Sequence, residues 1–171
     1  MSAASERRGW TRYSWVSLSF ARKIPARAWL PWWGGEGYPG KPRIEMSELG
    51  IKICGITTPE DAVAARELGA DYLGMILSQG FARSILPDEA VDIGLVAEAP
   101  LVAVLVDESL DEAERIAGLS GASVIQLHGE EDGDYAEELR RRGKWAIWKA
   151  VRVRDPEDVT RAVEALGASV D

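Results

Sequence analysis

The chain has 171 residues, 46% of them hydrophobic, enough to bury one sizeable core, and its net charge of −8 argues against a nucleic-acid surface or an anionic membrane as partner. Cys54 is the only cysteine, which excludes an internal disulfide and suits a reduced, cytoplasmic setting. No stretch reaches the roughly 18 apolar residues of a membrane span.

The charge is unevenly spread. Residues 1–45 hold eight Lys/Arg against three Glu, whereas residues 46–171 hold 12 Lys/Arg against 25 Asp/Glu; five of the seven Trp also precede residue 46. Pro25, Pro31, Pro39, Pro42 and the Gly34–Gly35 pair punctuate residues 1–45, and no helical or strand period is sustained there. These residues read as a disordered leader or as a start assigned too early, with Met46 the true start. An organelle transit peptide and a functional tail are the other readings.

From Ile51 a rhythm begins. Apolar runs start near Ile51, Tyr72, Leu101, Ser123 and Trp145, at spacings of 21, 29, 22 and 22 residues, and a helical stretch follows each. That alternation predicts parallel βαβ units. Thr58-Pro59 offers an N-cap and a proline in the first helical turn, and Gly69 a stop. A helix over Pro87–Ala97 must accommodate Gly94 within it. Ser109 and Glu112 make a capping-box pattern ahead of Ala113, Ile116 and Ala117. Tyr135–Arg142 reads as the fourth helix, stopped by Gly143. Asp155-Pro156 opens the fifth, where Val159, Ala162, Val163 and Leu166 share one stripe and Gly167 ends it. Residues 168–171 look like the start of a sixth strand. Pattern alone leaves open both a doubly wound sheet and part of a barrel, although no Gly-rich phosphate loop follows the first strand.

Residues that could carry chemistry sit at strand ends. In Ile51–Thr57, alternation puts Lys52 and Cys54 on one face, opposite Ile51 and Ile53. A lysine roughly 7 Å from a thiol favours the thiolate, and Gly55 permits a turn or a close ligand. The plainer reading is a buried small hydrophobe beside a snorkelling lysine. Gln126 and His128 likewise share a face, and suit a polar ligand or a base, or a hydrogen-bonded histidine at a rim. Arg83 lies in the loop after the second strand and could clamp a carboxylate or phosphate, or be solvated. Asp107 and Lys149 could line a pocket or form an ion pair, Lys149 facing inward with Ile147. The acidic run Glu130–Asp134 reads as the solvated start of a helix. One His and one Cys on different strands make a poor metal site, so no metal is expected.

These motifs converge on a family. Ile51–Thr57 (IKICGIT) resembles the N-terminal signature of phosphoribosylanthranilate isomerases. The resemblance continues through Glu60-Asp61-Ala62, Gly69–Gly74, Ala82–Ile85, Leu101–Val104 and Gln126–Gly129, covering about residues 48–171. It implies a (β/α)8 TIM barrel, an α/β fold of which about the first five βα units are present, with residues 46–171 as the barrel portion. It implies an isomerase of tryptophan biosynthesis that performs an Amadori rearrangement on a small phosphorylated substrate, with no cofactor or metal. Cys54 takes the general-base position, Arg83 contacts the anthranilate carboxylate, and Gln126, His128 and Lys52 lie near substrate. The family has Ser-Pro before this arginine where this chain has Phe81-Ala82, which predicts a less rigid loop.

The resemblance also implies a general acid, an aspartate at the end of a sixth strand, absent from these residues; Asp171 falls several residues too early for that role. The phosphate site, on loops after strands seven and eight, is absent as well. Residues 1–171 alone are therefore expected to form an incomplete barrel without turnover, with open strand edges as a route to self-association. Two alternatives differ in kind. One is a non-catalytic half-barrel that needs a partner chain. The other is a different phosphate-binding barrel enzyme, such as indole-glycerol-phosphate synthase or a sugar-phosphate epimerase; the single histidine disfavours the epimerase.

Overall fold

The computed structural model describes residues 50–171; the leader expected over residues 1–45 lies outside them. Five strands and five helices alternate: β1 Lys52–Cys54, α1 Pro59–Glu67, β2 Tyr72–Ile76, α2 Pro87–Ala97, β3 Leu101–Leu105, α3 Leu110–Ser120, β4 Val124–Leu127, α4 Gly133–Arg142, β5 Ala146–Lys149 and α5 Pro156–Leu166. Each strand starts within one residue of its predicted position. Among the described residues no helix is long and apolar enough to cross a membrane.

Local chemistry accounts for the helix boundaries. The Thr58 hydroxyl accepts from Asp61 N–H, and Pro59 opens α1 with its fixed φ. α4 starts at Gly133, two residues ahead of the predicted start, because Asp132 caps it by accepting from Tyr135 N–H. Asp155 and Asp158 cap α5 reciprocally. Ser109 caps α3, but the Glu112 carboxylate turns to Arg115, so only half of the predicted capping box forms. Gly94 sits inside α2 because a Cβ there would stand 2.6 Å from Leu101 Cδ1. The helix gives up propensity for close approach to β3.

All four strand pairings are parallel and the strand order is β1-β2-β3-β4-β5. This sequential order decides between the two architectures left open by the pattern, because a doubly wound sheet reverses direction at a switch point. Residues from α1 to α4 pack on a single face, against Leu73, Met75, Ala103, Leu105, Ile125, Leu127 and Ile147. Burying each large aliphatic side chain here contributes about 1.5–3 kcal/mol. The other face holds a second apolar cluster made only from strands: Tyr72, Val102, Val124 and Trp148, with Ala146 against them. The Tyr72 and Trp148 rings meet edge to face, 5.0 Å between centroids, although β3 and β4 separate their strands. The sheet therefore curls into part of a barrel wall.

Two expectations need correction. The stripe on α5 buries none of its residues, and Val163 is 66% exposed. Its spacing is helical, but no described layer packs over it. Lys149 does share a face with Ile147, yet that face looks toward the helices, and Trp148 takes the concave side. The expected sixth strand begins only as a contact. Asp171 N–H donates to Ile147 O at 2.8 Å, and its carboxylate accepts from Ile147 N–H and pairs with Arg140. Asp171 thus lies beside Ile147, the second residue of β5, and ties backbone there.

Candidate active site

In a parallel ladder, paired residues share a face. Lys52 pairs with Tyr72, and Cys54 with Gly74, which pairs with Val102. Val104 pairs with Gln126, and Gln126 with Trp148. Lys52, Cys54 and Gln126 therefore project from the concave face, and Cys54 stands at the C-terminal end of its strand, where sites of such barrels form.

Gly74 lets the first two converge. A Cβ on Gly74 would lie 2.8 Å from Lys52 Nζ and 2.9 Å from Cys54 Sγ. The lysine thus folds back nearer the thiol than the roughly 7 Å set by strand spacing. A glycine inside a strand marks close approach of another group, and here that group is the thiol–ammonium pair. Cys54 is exposed, which removes the reading of a buried small hydrophobe.

Arg83 reaches the same place from the next loop. Its Nη1 donates to Cys54 O at 3.5 Å, and its guanidinium covers Gly55, whose φ of +84° and missing side chain make room. The loop carrying Arg83 is stitched by side-chain hydrogen bonds. Ser84 Oγ donates to Ser78 O at 2.6 Å and accepts from Phe81 N–H, Gln79 Nε2 donates to Leu77 O and Ile85 O, and Ser78 Oγ accepts from Val106 N–H. These bonds supply ties that Phe81-Ala82 alone does not.

Gln126 is 3% exposed, and its Oε1 is buried with no hydrogen-bond partner among the described residues. A buried acceptor left unpaired costs free energy that a ligand donor can recover. Its Nε2 lies 3.4 Å from His128 Nδ1. Partial burial holds the His128 imidazole below its usual range, with Lys52, Lys149 and Arg152 adding to the fall and Glu131 opposing it. The ring is therefore neutral at pH 7, suited to hydrogen bonding.

Asp107 and Lys149 lie apart from the thiol. Lys149 Nζ donates to Glu131 at 2.7 Å, in a pair whose side chains are only 9% and 3% exposed, and to Gly129 O at 2.7 Å. Asp107, at a left-handed φ of 53°, donates its N–H to Glu131 and accepts from Glu130 N–H. Glu131 is therefore the exception to the solvated reading of its acidic run. Sequence reasoning missed it because its partners stand 18 and 24 residues away.

The family model of N-(5'phosphoribosyl)anthranilate (PRA) isomerase matches residues 51–168. The N-(5'-phosphoribosyl)anthranilate isomerase of Geobacter sp. (strain M21) is 43% identical over 113 residues, 64% of this chain and 52% of that protein. The phosphoribosyl anthranilate isomerase structure from Thermus thermophilus superposes with a TM-score of 0.59 at 37% identity, covering 63% of this chain and 54% of the other. A phosphoribosyl anthranilate isomerase solved in complex with reduced 1-(o-carboxyphenylamino)-1-deoxyribulose 5-phosphate superposes with a TM-score of 0.63 at 32% identity, covering 68% and 60%. The chain spans about half the length of the curated relatives it matches.

Proposed function

Because the chain belongs to the N-(5'-phosphoribosyl)anthranilate isomerase family, we propose that it serves the Amadori rearrangement of N-(5-phosphoribosyl)anthranilate to 1-(2-carboxyphenylamino)-1-deoxyribulose 5-phosphate in tryptophan biosynthesis. The convergence of Cys54, Lys52 and Arg83 on the backbone gaps left by Gly74 and Gly55 carries this reading.

The reaction opens a furanose ring to a Schiff base and then moves a proton off C2′. Cys54 is the base for that carbon-bound proton, and its product is an enolamine that tautomerises to the ketone. Lys52 brings its ammonium near the sulfur, over the gap left by Gly74. The Arg83 guanidinium offers a planar fork to the anthranilate carboxylate, next to the base, so the substrate's flat end is held while C2′ faces the thiolate. Gln126 Oε1 accepts from a substrate hydroxyl or amine, pairing its own orphaned oxygen. Neutral His128 adds a hydrogen bond beside it. Ring opening breaks the C1′–ring-oxygen bond as that oxygen takes a proton from a general acid, and the later proton shifts raise C2′ to a ketone while C1′ falls to an amine, an internal exchange that needs no outside oxidant or reductant. A lone cysteine and a biosynthetic role support a cytoplasmic setting.

Binding of reduced 1-(2-carboxyphenylamino)-1-deoxyribulose 5-phosphate, the compound held by the related isomerase, tests the reading. Saturable NMR shifts of the Gln126 side-chain amide and the His128 ring are expected. Shifts at neither residue under saturating ligand would exclude this site.

A further inference from the structure

The three donors on Glu131 come from three different places. Its carboxylate accepts from Asp107 N–H at 2.8 Å, from Gly129 N–H at 3.0 Å and from Lys149 Nζ at 2.7 Å. The loop after β3, the turn after β4 and the end of β5 are thereby tied to one buried side chain. Lys149 closes the turn from its other side through Gly129 O, while Asp107 Oδ1 accepts from Glu130 N–H at 2.7 Å. Gly129 has no room for a side chain, because a Cβ there would strike Asp107. In a pair buried this far, loss of either member leaves the other stranded. The rearrangement has no use for this pair, yet the backbone that it clamps begins at His128.

We propose that Glu131 and Lys149 are positioning residues, a buried clamp that fixes the turn after β4 and so holds the His128 ring against Gln126 on the concave face. The relevance of this clamp to turnover rests on the isomerase reading of the site; the clamp itself does not. Its effect is to pre-set the histidine before substrate arrives, so that no ordering of the turn is left to binding.

His128 is the only histidine in the chain, so its Cε1–H NMR signal reports one site as pH is varied. The charged groups acting on the ring are Lys52 from β1, Glu131 from its own turn, Lys149 from β5 and Arg152 beyond β5. In Glu131→Gln, removal of a negative charge alone would lower the titration midpoint further. Loss of positioning instead frees the ring from burial and from the three cations, and the midpoint is expected to rise toward the ordinary value of about 6.5. Lys149→Arg, which keeps a cation for Glu131, is expected to hold the midpoint near that of the unaltered chain. A midpoint that falls or stays put in Glu131→Gln overturns the proposal. A second measurement needs no variant. In the unaltered chain the Asp107 and Gly129 amides should exchange with solvent roughly tenfold or more slowly than exposed loop amides, and exchange at the loop rate overturns the clamp even if Glu131→Gln fails to fold. Neither readout involves the phosphorylated ligand, so failure of the clamp and failure of the isomerase reading register separately.

Discussion

Replacing Gly94 by alanine sets two effects of opposite sign against each other. Alanine in a helix interior is favoured over glycine by about 0.8–1.0 kcal/mol, so an open site would be stabilised. At Gly94 the new methyl would stand 2.6, 3.0 and 3.1 Å from Leu101 Cδ1, Cγ and Cδ2. Ordinary carbon contacts lie at about 3.5–4.0 Å, so Leu101 or the helix must yield by roughly 0.9–1.4 Å. Leu101 is buried at the start of β3, and all three branch atoms are crowded together, so rotation of its tip gives no relief. Overpacking of this kind costs about 1–3 kcal/mol, and this crowding belongs at the upper end. The net expectation is a loss of about 2 kcal/mol after the propensity gain, read in urea as a midpoint lowered by about 1 M with an unchanged m-value. Leu101→Ala should cost at least about 1 kcal/mol less in the Gly94→Ala background than alone, because it vacates the crowded space. Gly94→Ala as stable as the parent chain, or more so, would refute the close helix-on-strand contact.

Arg83→Met removes a charge-assisted pair with the ligand carboxylate, worth about 1.5–3 kcal/mol, and should weaken binding of the reduced product about 10- to 100-fold by calorimetry; unchanged affinity would remove Arg83 from the site. Gly74→Ala pushes Lys52 Nζ away from Cys54 Sγ, and the ratio of iodoacetate to iodoacetamide labelling rates at this sole thiol should fall about two- to fivefold, whereas a constant ratio would count against their contact. The Tyr135 hydroxyl, which donates to Glu108 O, is pushed up to about 12 by burial and nearby carboxylates. Its folded value exceeds the usual 10, so the stability it lends is whole below pH 10 and drains away as pH climbs toward 12; Tyr135→Phe should flatten that stretch of an alkaline melting series. Asp158, held down to about 2 by backbone N–H groups and Arg161, works in the other direction. Its contribution is present above its usual 3.8 and lost as pH drops toward 2, so α5 amides should lose protection in that window ahead of those in β3 and β4.

Much of the fold was legible because its signals are local. Caps at Thr58, Ser109 and Asp155 act over three residues, and each formed as a cap. Strand starts could be read from apolar runs that become parallel ladders. The pairing of Lys52 with Cys54 on one face followed from alternation, and so did that of Gln126 with His128. What stayed hidden depends on groups distant in sequence. Glu131 looks solvated until Lys149 and Asp107 N–H arrive beside it. Lys149 looked like a concave-face residue because alternation gives two faces without saying which one the helices cover. The stripe on α5 has the right period, yet period reports what a helix could bury and not whether anything packs on it. Gly74 carried a weak signal, a glycine inside a strand, whose meaning appeared only once Cys54 and Lys52 were seen to share its space.

The sequential strand order has a kinetic consequence. Each strand after β1 pairs with the one made just before it, after a connection of one helix, so no strand pairing among the described residues waits for a distant segment to be synthesised. Short loops close with little entropy and quickly. On the ribosome, each new strand and helix can dock onto the edge left by its predecessor within moments of emerging. The wall therefore grows by accretion, and the concave face carrying the thiol is already curved by the time Trp148 swings in to meet Tyr72.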